Sequence, residues 1–197
     1  NCLMYYLEDT LAEGYQLSGR PESHQHYQQK ARARHVAIQV YFWNSQQQFY
    51  MDYDFRDQKV TSIYSLAGLF PLFFKLADRR QARFIDAHIR HSFLRSGGVS
   101  TTLHDSGQQW DLPNGWAPLQ WITHKGLRNY QFNCTAERLL NNWLHLLEKQ
   151  YYAKGKMLEK YNIVDTNLSA CDGEYDLQEG FGWTNGVYLI MKNQKPH

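Results

Sequence analysis

Two stretches of the chain space their apolar residues at intervals of three and four, the spacing of an amphipathic helix, and they restrict the fold most strongly. One follows Asp78, a residue that suits a helix N-cap, and the other follows Thr135, which we expect to cap a longer helix. The predicted buried faces are Ala82, Ile85, Ile89 and Phe93 in the first helix, and Leu139, Leu140, Trp143, Leu146 and Leu147 in the second. The sequence therefore predicts an all-α fold.

Further helices are predicted at residues 3–14, 24–42 and 118–130, and Pro71 is expected to open a short one. The first of these carries Leu3, Leu7 and Leu11 at intervals of four. Residues 46–55, QQQFYMDYDF, alternate instead, which predicts a short strand or another extended segment with Phe49 and Phe55 on the same side. The other connections are long and rich in Gly, Trp and acidic residues, so we expect the functional residues to lie on them. Helical hairpins of similar length can stack as a toroid.

Composition limits the class of protein. The 197 residues suffice for one core, and a single domain over residues 1–197 is expected. A net charge of +2 gives no electrostatic basis for a nucleic-acid or membrane partner. Three widely separated cysteines predict free thiols. The chain starts at Asn1, within what reads as the interior of a helix, so we expect a portion of a longer protein, its compartment and oligomeric state left open.

Two of the long connections combine aromatic rings with carboxylates and amides. They span residues 106–121 and 173–185. Aromatic faces cover the apolar C–H faces of a pyranose, while carboxylates and amides bind its hydroxyl groups. Either loop alone could be packed down by its own aromatic residues, but two in one chain favour a carbohydrate site.

Glycoside hydrolysis normally needs two carboxyl groups, one as acid and one as base or nucleophile. The candidates near the aromatic loops are Asp111, Glu159, Asp172, Glu174, Asp176 and Glu179. Glu159 lies in KMLEKYN, which reads as the end of a helix, and by local pattern alone a salt-bridged surface residue is the stronger interpretation.

Other motifs carry little weight. His24 with His26, and His88 with His91, have the spacing of metal-ligand pairs, but no cysteine or acidic cluster accompanies them, which favours surface histidines. Asn133 begins an N-glycosylation pattern, as does Asn167, and such patterns matter only in a secretory compartment. The sequence contains no P-loop, dinucleotide-binding fingerprint, G-x-S-x-G elbow or H-E-x-x-H motif, so nucleotide, hydride and serine-hydrolase chemistry lose their usual support.

Three strings resemble signatures of the trehalases, inverting glycoside hydrolases that split α,α-trehalose into two glucoses. They are GQQWDLPNGWAPLQW, EKYN and GEYDLQEGFGWTNGV. NCLMYYLE, DYDF and SGGVSTTL resemble further family segments in family order, so the resemblance covers the whole chain. It implies the C-terminal portion of an (α/α)6 toroid, hydrolysis without metal or organic cofactor, and trehalose as the bound small molecule.

The resemblance also assigns residues. The Glu of EKY, here Glu159, would be the general base, and the Glu of GEY, here Glu174, would contact substrate. The expected pocket residues are Trp110, Asp111, Asn114, Trp116, Phe181 and Trp183, with individual roles inferred from residue type.

Some family features have no counterpart in the chain. The segment that carries the general-acid Asp is not among the 197 residues, and SACDG places Cys171 and Asp172 where the family has glycines. We therefore expect the isolated chain to be inactive and to leave apolar helix faces uncovered. The alternative is a catalytically dead, truncated trehalase-like protein that binds sugar or regulates. A helical interaction module without a sugar role ranks last, because both motif-bearing loops are so fully present.

Overall fold

The computed structural model describes residues 1–170 and 175–194. Its α-helices are α1 (Cys2–Leu17), α2 (Pro21–Tyr41), α3 (Phe70–Phe73), α4 (Arg79–His88), α5 (Ala117–Asn129), α6 (Asn133–Lys154) and α7 (Gly182–Lys192). A 3-10 turn at Leu66–Leu69 precedes α3, and a π turn at Ile89–Phe93 extends α4. The prediction of a helical fold is confirmed. Within the described ranges, no helix is both long and apolar enough to cross a membrane.

The helices pack as hairpins, α1 against α2 and α5 against α6, and α5 also contacts α3 and α7. Short antiparallel strand pairs close the connections: β1 (Trp43–Asn44) with β2 (Phe49–Tyr50), β3 (Tyr53–Asp54) with β4 (Lys59–Val60), β5 (Leu94–Arg95) with β6 (Gly98–Val99), and β7 (Asn114–Trp116) with β8 (Lys160–Asn162). β7 precedes α5 and β8 follows α6. Their pairing therefore closes the mouth of the α5–α6 hairpin and joins two distant loops.

The start of α4 follows the predicted N-cap. The Asp78 carboxylate accepts a hydrogen bond from the Gln81 N–H at 2.7 Å, and the Gln81 side chain accepts one from the Asp78 N–H at 2.8 Å. This capping box satisfies two N–H groups that the first turn of a helix leaves unpaired. The predicted stripe beyond it is fully buried: Ala82, Ile85, Ile89 and Phe93.

The buried stripe of α6 is also confirmed, since Leu139, Leu140, Trp143, Leu146 and Leu147 all lie in the core. The predicted cap is wrong, because Thr135 lies inside the helix and Phe132 is the N-cap. Gln131 adopts a positive φ of 67°, and the Phe132 N–H donates to the Leu127 carbonyl at 3.0 Å. This tight turn starts α6 before the Thr135 hydroxyl reaches a capping position.

Two sequence expectations fail in the first half of the chain. Residues 46–55 form parts of two hairpins rather than one strand, so Phe49 is buried whereas Phe55 is 75% exposed. α1 continues past Gly14 to Leu17, and its Leu3 and Leu7 side chains are exposed. The buried residues of α1 are Glu8 and Ala12, so the apolar face that carries Leu3 and Leu7 lies outward.

An ion pair holds α1 to α2. The Arg34 guanidinium donates to both carboxylate oxygens of Glu8, at 2.7 and 2.8 Å, and the Glu8 side chain is only 7% exposed. This bidentate hydrogen bonding lowers the pKa of Glu8 from its ordinary value of 4.5, more than burial raises it.

The free energy of unfolding should depend on pH through the Glu8–Arg34 ion pair. A carboxyl group whose pKa is lowered by folding stabilises the fold above its unfolded pKa and loses that contribution as pH falls through the folded value. We expect Glu8→Gln to be less stable than the unsubstituted chain at neutral pH, with a difference that shrinks below the ordinary value of 4.5. Urea unfolding over a pH series measures this.

Glu137→Gln is the matched control, because Glu137 lies 3.8 Å from Arg128 in an exposed pair. A stability difference for Glu8→Gln that does not change with pH would contradict this account of the α1–α2 contact.

Candidate active site

The β7–β8 pair forms the centre of the site. Trp116 lies opposite Lys160 and Asn114 opposite Asn162. A side chain on Gly115 would overlap Cγ2 of Ile163, so a glycine is needed where the two strands approach. This pairing brings the loop that ends at Pro113 beside the segment that carries Glu159.

Glu159 immediately precedes β8 and is only 4% exposed. Its N–H donates to the Gln178 carbonyl at 3.0 Å, and its carbonyl accepts from Nε1 of Trp183 at 3.3 Å. Both sequence readings of its surroundings are wrong: α6 ends at Lys154, and Glu159 is buried rather than salt-bridged on the surface. The local sequence pattern does not predict this burial, because Glu159 is covered by residues 175–183, which are distant in sequence and close in space.

The two carboxylate oxygens of Glu159 differ. Oε1 accepts a hydrogen bond from the Tyr175 hydroxyl at 2.9 Å. Oε2 is buried and has no hydrogen-bond partner among residues 1–170 and 175–194. A buried carboxylate oxygen without a donor is costly, and such groups in native proteins often mark a chemical role.

The backbone before Glu159 is held on two sides. The Leu158 N–H donates to the Tyr161 hydroxyl at 2.7 Å, and the Thr184 hydroxyl donates to the Leu158 carbonyl at 2.8 Å. Burial raises the pKa of Tyr161 to about 12, so its phenol stays neutral and keeps its proton. These contacts fix the chain direction at the carboxylate.

Aromatic rings form a cluster beside Glu159. Trp110 stacks on Trp116 with ring centroids 3.8 Å apart and planes 4° apart. Trp116 meets the edge of Trp183 at 5.7 Å, and Trp183 contacts Phe181 at 4.9 Å. Trp116 is fully buried, whereas Trp110 is 45% exposed. One face of Trp110 is therefore covered by Trp116 and the other is open.

The predicted polar residues of the first loop serve to shape it. The Asp111 carboxylate accepts from the Thr102 hydroxyl at 2.6 Å and from the Ser106 hydroxyl. The fully buried Asn114 donates from Nδ2 to the Gln109 carbonyl at 3.2 Å. Both residues lie beside the aromatic cluster and hold the loop against β7.

Gln109 and Lys160 are site residues that the sequence reading missed. The Gln109 carbonyl also accepts from Nε1 of Trp116 at 3.0 Å, and its Oε1 accepts from Nζ of Lys160 at 2.9 Å. Lys160 is fully buried, with Nζ 4.9 Å from the Tyr175 ring centre and 5.6 Å from that of Trp116. The signal in the sequence is their place inside the GQQW and EKYN strings, since neither residue type suggests chemistry by itself.

The other candidate carboxylates divide into two groups. Asp176 and Glu179 are exposed, and Glu179 pairs with Lys156 at 2.5 Å. Asp172 and Glu174 lie outside the described residues, as does Cys171. Among the candidates that the structure describes, Glu159 is the buried one, with Asp111 half-buried.

The histidine pairs do not form a metal centre in the structure. A ring nitrogen of His24 lies 2.9 Å from the Ala12 carbonyl, and one of His88 lies 2.9 Å from the Gln47 carbonyl. No group of three His, Cys, Asp or Glu residues suited to a metal ion occurs in the described part of the chain. An apolar cavity of about 220 Å³ beside α1 contains none of the predicted site residues.

The helical hairpins form part of an (α/α)6 toroid fold. A mannosylglycerate hydrolase from Thermus thermophilus shares this fold, with a TM-score of 0.72 at 18% identity over 98% of this chain and 44% of its own. The trehalase family model matches residues 1–194, and the chain belongs to the trehalase family.

Relatives within the family agree with this placement. A periplasmic trehalase from Salmonella paratyphi B is 41% identical over 191 residues, which cover 97% of this chain and 34% of the relative. The neutral trehalase from Saccharomyces cerevisiae superposes with a TM-score of 0.83 at 25% identity, over 99% of this chain and 37% of its own. The chain thus spans about a third of the length of the curated relatives it matches. The family resemblance read from the motifs is confirmed.

Proposed function

We propose that residues 1–197 form the base-bearing, C-terminal part of a trehalase catalytic domain that hydrolyses α,α-trehalose to two glucoses with inversion. The observation that supports this most is the buried Glu159 carboxylate, with Oε2 unpaired among the described residues, beside the aromatic cluster. Membership of the trehalase family supports trehalose over other glucosides.

In the proposed reaction, Oε2 of Glu159 takes a proton from a water molecule as the water oxygen bonds to the anomeric carbon. The bond from that carbon to the bridging oxygen breaks, and a general acid on a segment not contained in this chain protonates the departing glucose. Attack from the face opposite the leaving group inverts the configuration. Glu174 would bind sugar hydroxyl groups, a role that comes from the family motif alone.

The aromatic residues divide by exposure into two proposed roles. Trp110 would offer its open face to a glucose ring, since Trp116 covers the other face. Trp116, Trp183 and Phe181 would brace that platform, while Asp111 and Asn114 hold the loop in shape. Stacking on an exposed indole is a common way to bind the apolar face of a pyranose.

A chimera tests this function. In it, the present chain replaces the matching segment of the Salmonella paratyphi B periplasmic trehalase, which the alignment covers over 191 residues. We expect the chimera to release glucose from trehalose, because the relative supplies the general acid. A well-folded chimera that leaves trehalose intact would refute the proposed function.

The isolated chain is expected to release no glucose from trehalose, because an inverting mechanism needs both an acid and a base. Calorimetric titration with trehalose separates this proposal from a sugar-binding or regulatory role, since a partial pocket should give negligible heat. Glucose release by the purified chain would contradict the assignment of the acid to another segment. Saturable binding would support the regulatory alternative.

Trp110→Ala in the chimera should raise KM for trehalose by about tenfold, which corresponds to the loss of one aromatic stacking contact. The melting temperature should change little, because Trp110 is 45% exposed. Trp121→Ala, outside the Trp110–Trp116 stack, is the control for KM. An unchanged KM for Trp110→Ala would remove this ring from the substrate site.

The Salmonella relatives are periplasmic trehalases, which supports a periplasmic location for this protein as well. Fractionation of cells that produce it from its own gene tests this, and recovery of the protein with the cytoplasm would contradict it.

A further inference from the structure

Tyr175 contacts the Glu159 carboxylate on one side only. Its hydroxyl donates to Oε1 at 2.9 Å, and the backbone contacts of residues 178–184 keep its segment beside Glu159. A hydrogen bond to one oxygen of a carboxylate fixes the rotation of the group and draws negative charge toward that oxygen. The remaining lone pairs of Oε2 then point in a set direction.

A buried cation holds the Tyr175 ring. Nζ of the fully buried Lys160 lies 4.9 Å from the ring centre, a cation–π contact, while Tyr175 itself is 42% exposed. The same Nζ donates a hydrogen bond to Oε1 of Gln109. The main-chain carbonyl of Gln109 in turn accepts a hydrogen bond from Nε1 of Trp116. A positive charge over the ring also makes the phenol a stronger donor, since it stabilises charge that leaves the hydroxyl proton.

We propose that Tyr175 is a positioning residue for the general base: its phenol holds Oε1 of Glu159 and leaves Oε2 as the oxygen that receives the proton of the attacking water. This rests on the proposed role of Glu159. The chain from Gln109 through Lys160 and Tyr175 to Glu159 couples the aromatic platform to the orientation of the base. These contacts thereby fix the position of Oε2 of Glu159, the proton acceptor, relative to a substrate stacked on Trp110.

Two neighbouring groups of the described residues have contacts elsewhere. Nζ of Lys160 contacts Gln109 and the Tyr175 ring, and Glu179, opposite Leu158, pairs with exposed Lys156. A substitution that removes the Tyr175 hydroxyl takes away the hydrogen bond to Oε1 of Glu159.

Tyr175→Phe in the chimera keeps the ring and the cation–π contact and removes the hydroxyl. The expected result is a fall in kcat of roughly 10- to 100-fold, the effect of losing a hydrogen bond to a charged group. KM should stay within about twofold, because the substrate contacts remain.

Tyr152→Phe is the control, because Tyr152 is 85% exposed and lies on α6 away from Glu159. It should leave every one of these quantities unchanged. A folded Tyr175→Phe chimera with unchanged kcat, or with kcat and KM both changed by the same factor, would overturn the proposal, as would a loss of folded protein in place of a loss of kcat.

A second readout needs no activity. In the chimera labelled with ¹³C at glutamate carboxyl carbons, the Glu159 resonance is the one missing from Glu159→Gln. At neutral pH its chemical shift should differ between Tyr175→Phe and the unsubstituted protein, because Oε1 has lost its hydrogen bond, and equal chemical shifts would overturn the proposal. If the unsubstituted chimera fails to hydrolyse trehalose, the proposed function fails, and this comparison still decides whether Tyr175 contacts the carboxylate.

Discussion

Glu159→Gln in the chimera is expected to lower kcat for trehalose by about 10³-fold, within the range seen when a general base is removed. The amide matches the carboxylate in shape but cannot take a proton from water. Oε2 of Glu159 is buried and free of hydrogen bonds from the described residues, so none of those residues contacts this oxygen in a position to replace it. KM should change little, because the substitution removes an interaction made in the transition state.

Glu179→Gln is the matched control for this experiment. Glu179 forms a β-bridge with Leu158, the residue before Glu159, but its side chain is exposed and paired with Lys156. Exposed pairs of this kind contribute little, so its kcat should equal that of the unsubstituted chimera. Retention of more than a tenth of the activity by a folded Glu159→Gln chimera would exclude Glu159 as the base.

Trp116→Ala is expected to cost about 3–5 kcal/mol of folding free energy, the range for removing a large buried aromatic side chain. Trp116 is fully buried and contacts Trp110 and Trp183 by its ring. It also donates from Nε1 to the Gln109 carbonyl at 3.0 Å. Its loss would leave a cavity beside the buried Lys160 and remove one of the two hydrogen bonds to the Gln109 carbonyl, which keeps the one from Asn114. Urea unfolding of the chain followed by circular dichroism measures the change.

Trp110→Ala provides the comparison, because it removes the partner ring of the same stack from a half-exposed position. Its cost should be only about 1 kcal/mol, the value of one aromatic contact. Equal losses of folding free energy for Trp116→Ala and Trp110→Ala would contradict the division into a bracing ring and a substrate-facing ring.

Much of the fold could be predicted from apolar spacing. The faces of α4 and α6 are buried as the spacing indicated, and Asp78 caps α4 as its residue type suggests. The predictions failed where a partner element sets the structure. Thr135 is inside α6 because a turn at Gln131 starts the helix earlier, and Phe55 is exposed because its segment turns back into a second hairpin.

The candidate site could be found from motifs, but its geometry could not. Local pattern placed Glu159 on the surface at a helix end, and the structure buries it because segments far apart in sequence meet there. Buried Lys160 and its acceptor Gln109 had no signature as residue types, since lysine and glutamine usually lie in solvent. Their roles depend on the β7–β8 pairing, which spacing along the chain does not reveal.

Chemical rescue with azide shows whether Glu159 activates the water that attacks trehalose. Azide is a nucleophile that needs no base, so it should restore turnover to a Glu159→Ala chimera. The predicted product is β-glucosyl azide, formed with inversion, at a rate that rises with azide concentration. Contradiction would be a folded Glu159→Ala chimera that still releases glucose at the rate of the unsubstituted chimera and forms no azide adduct.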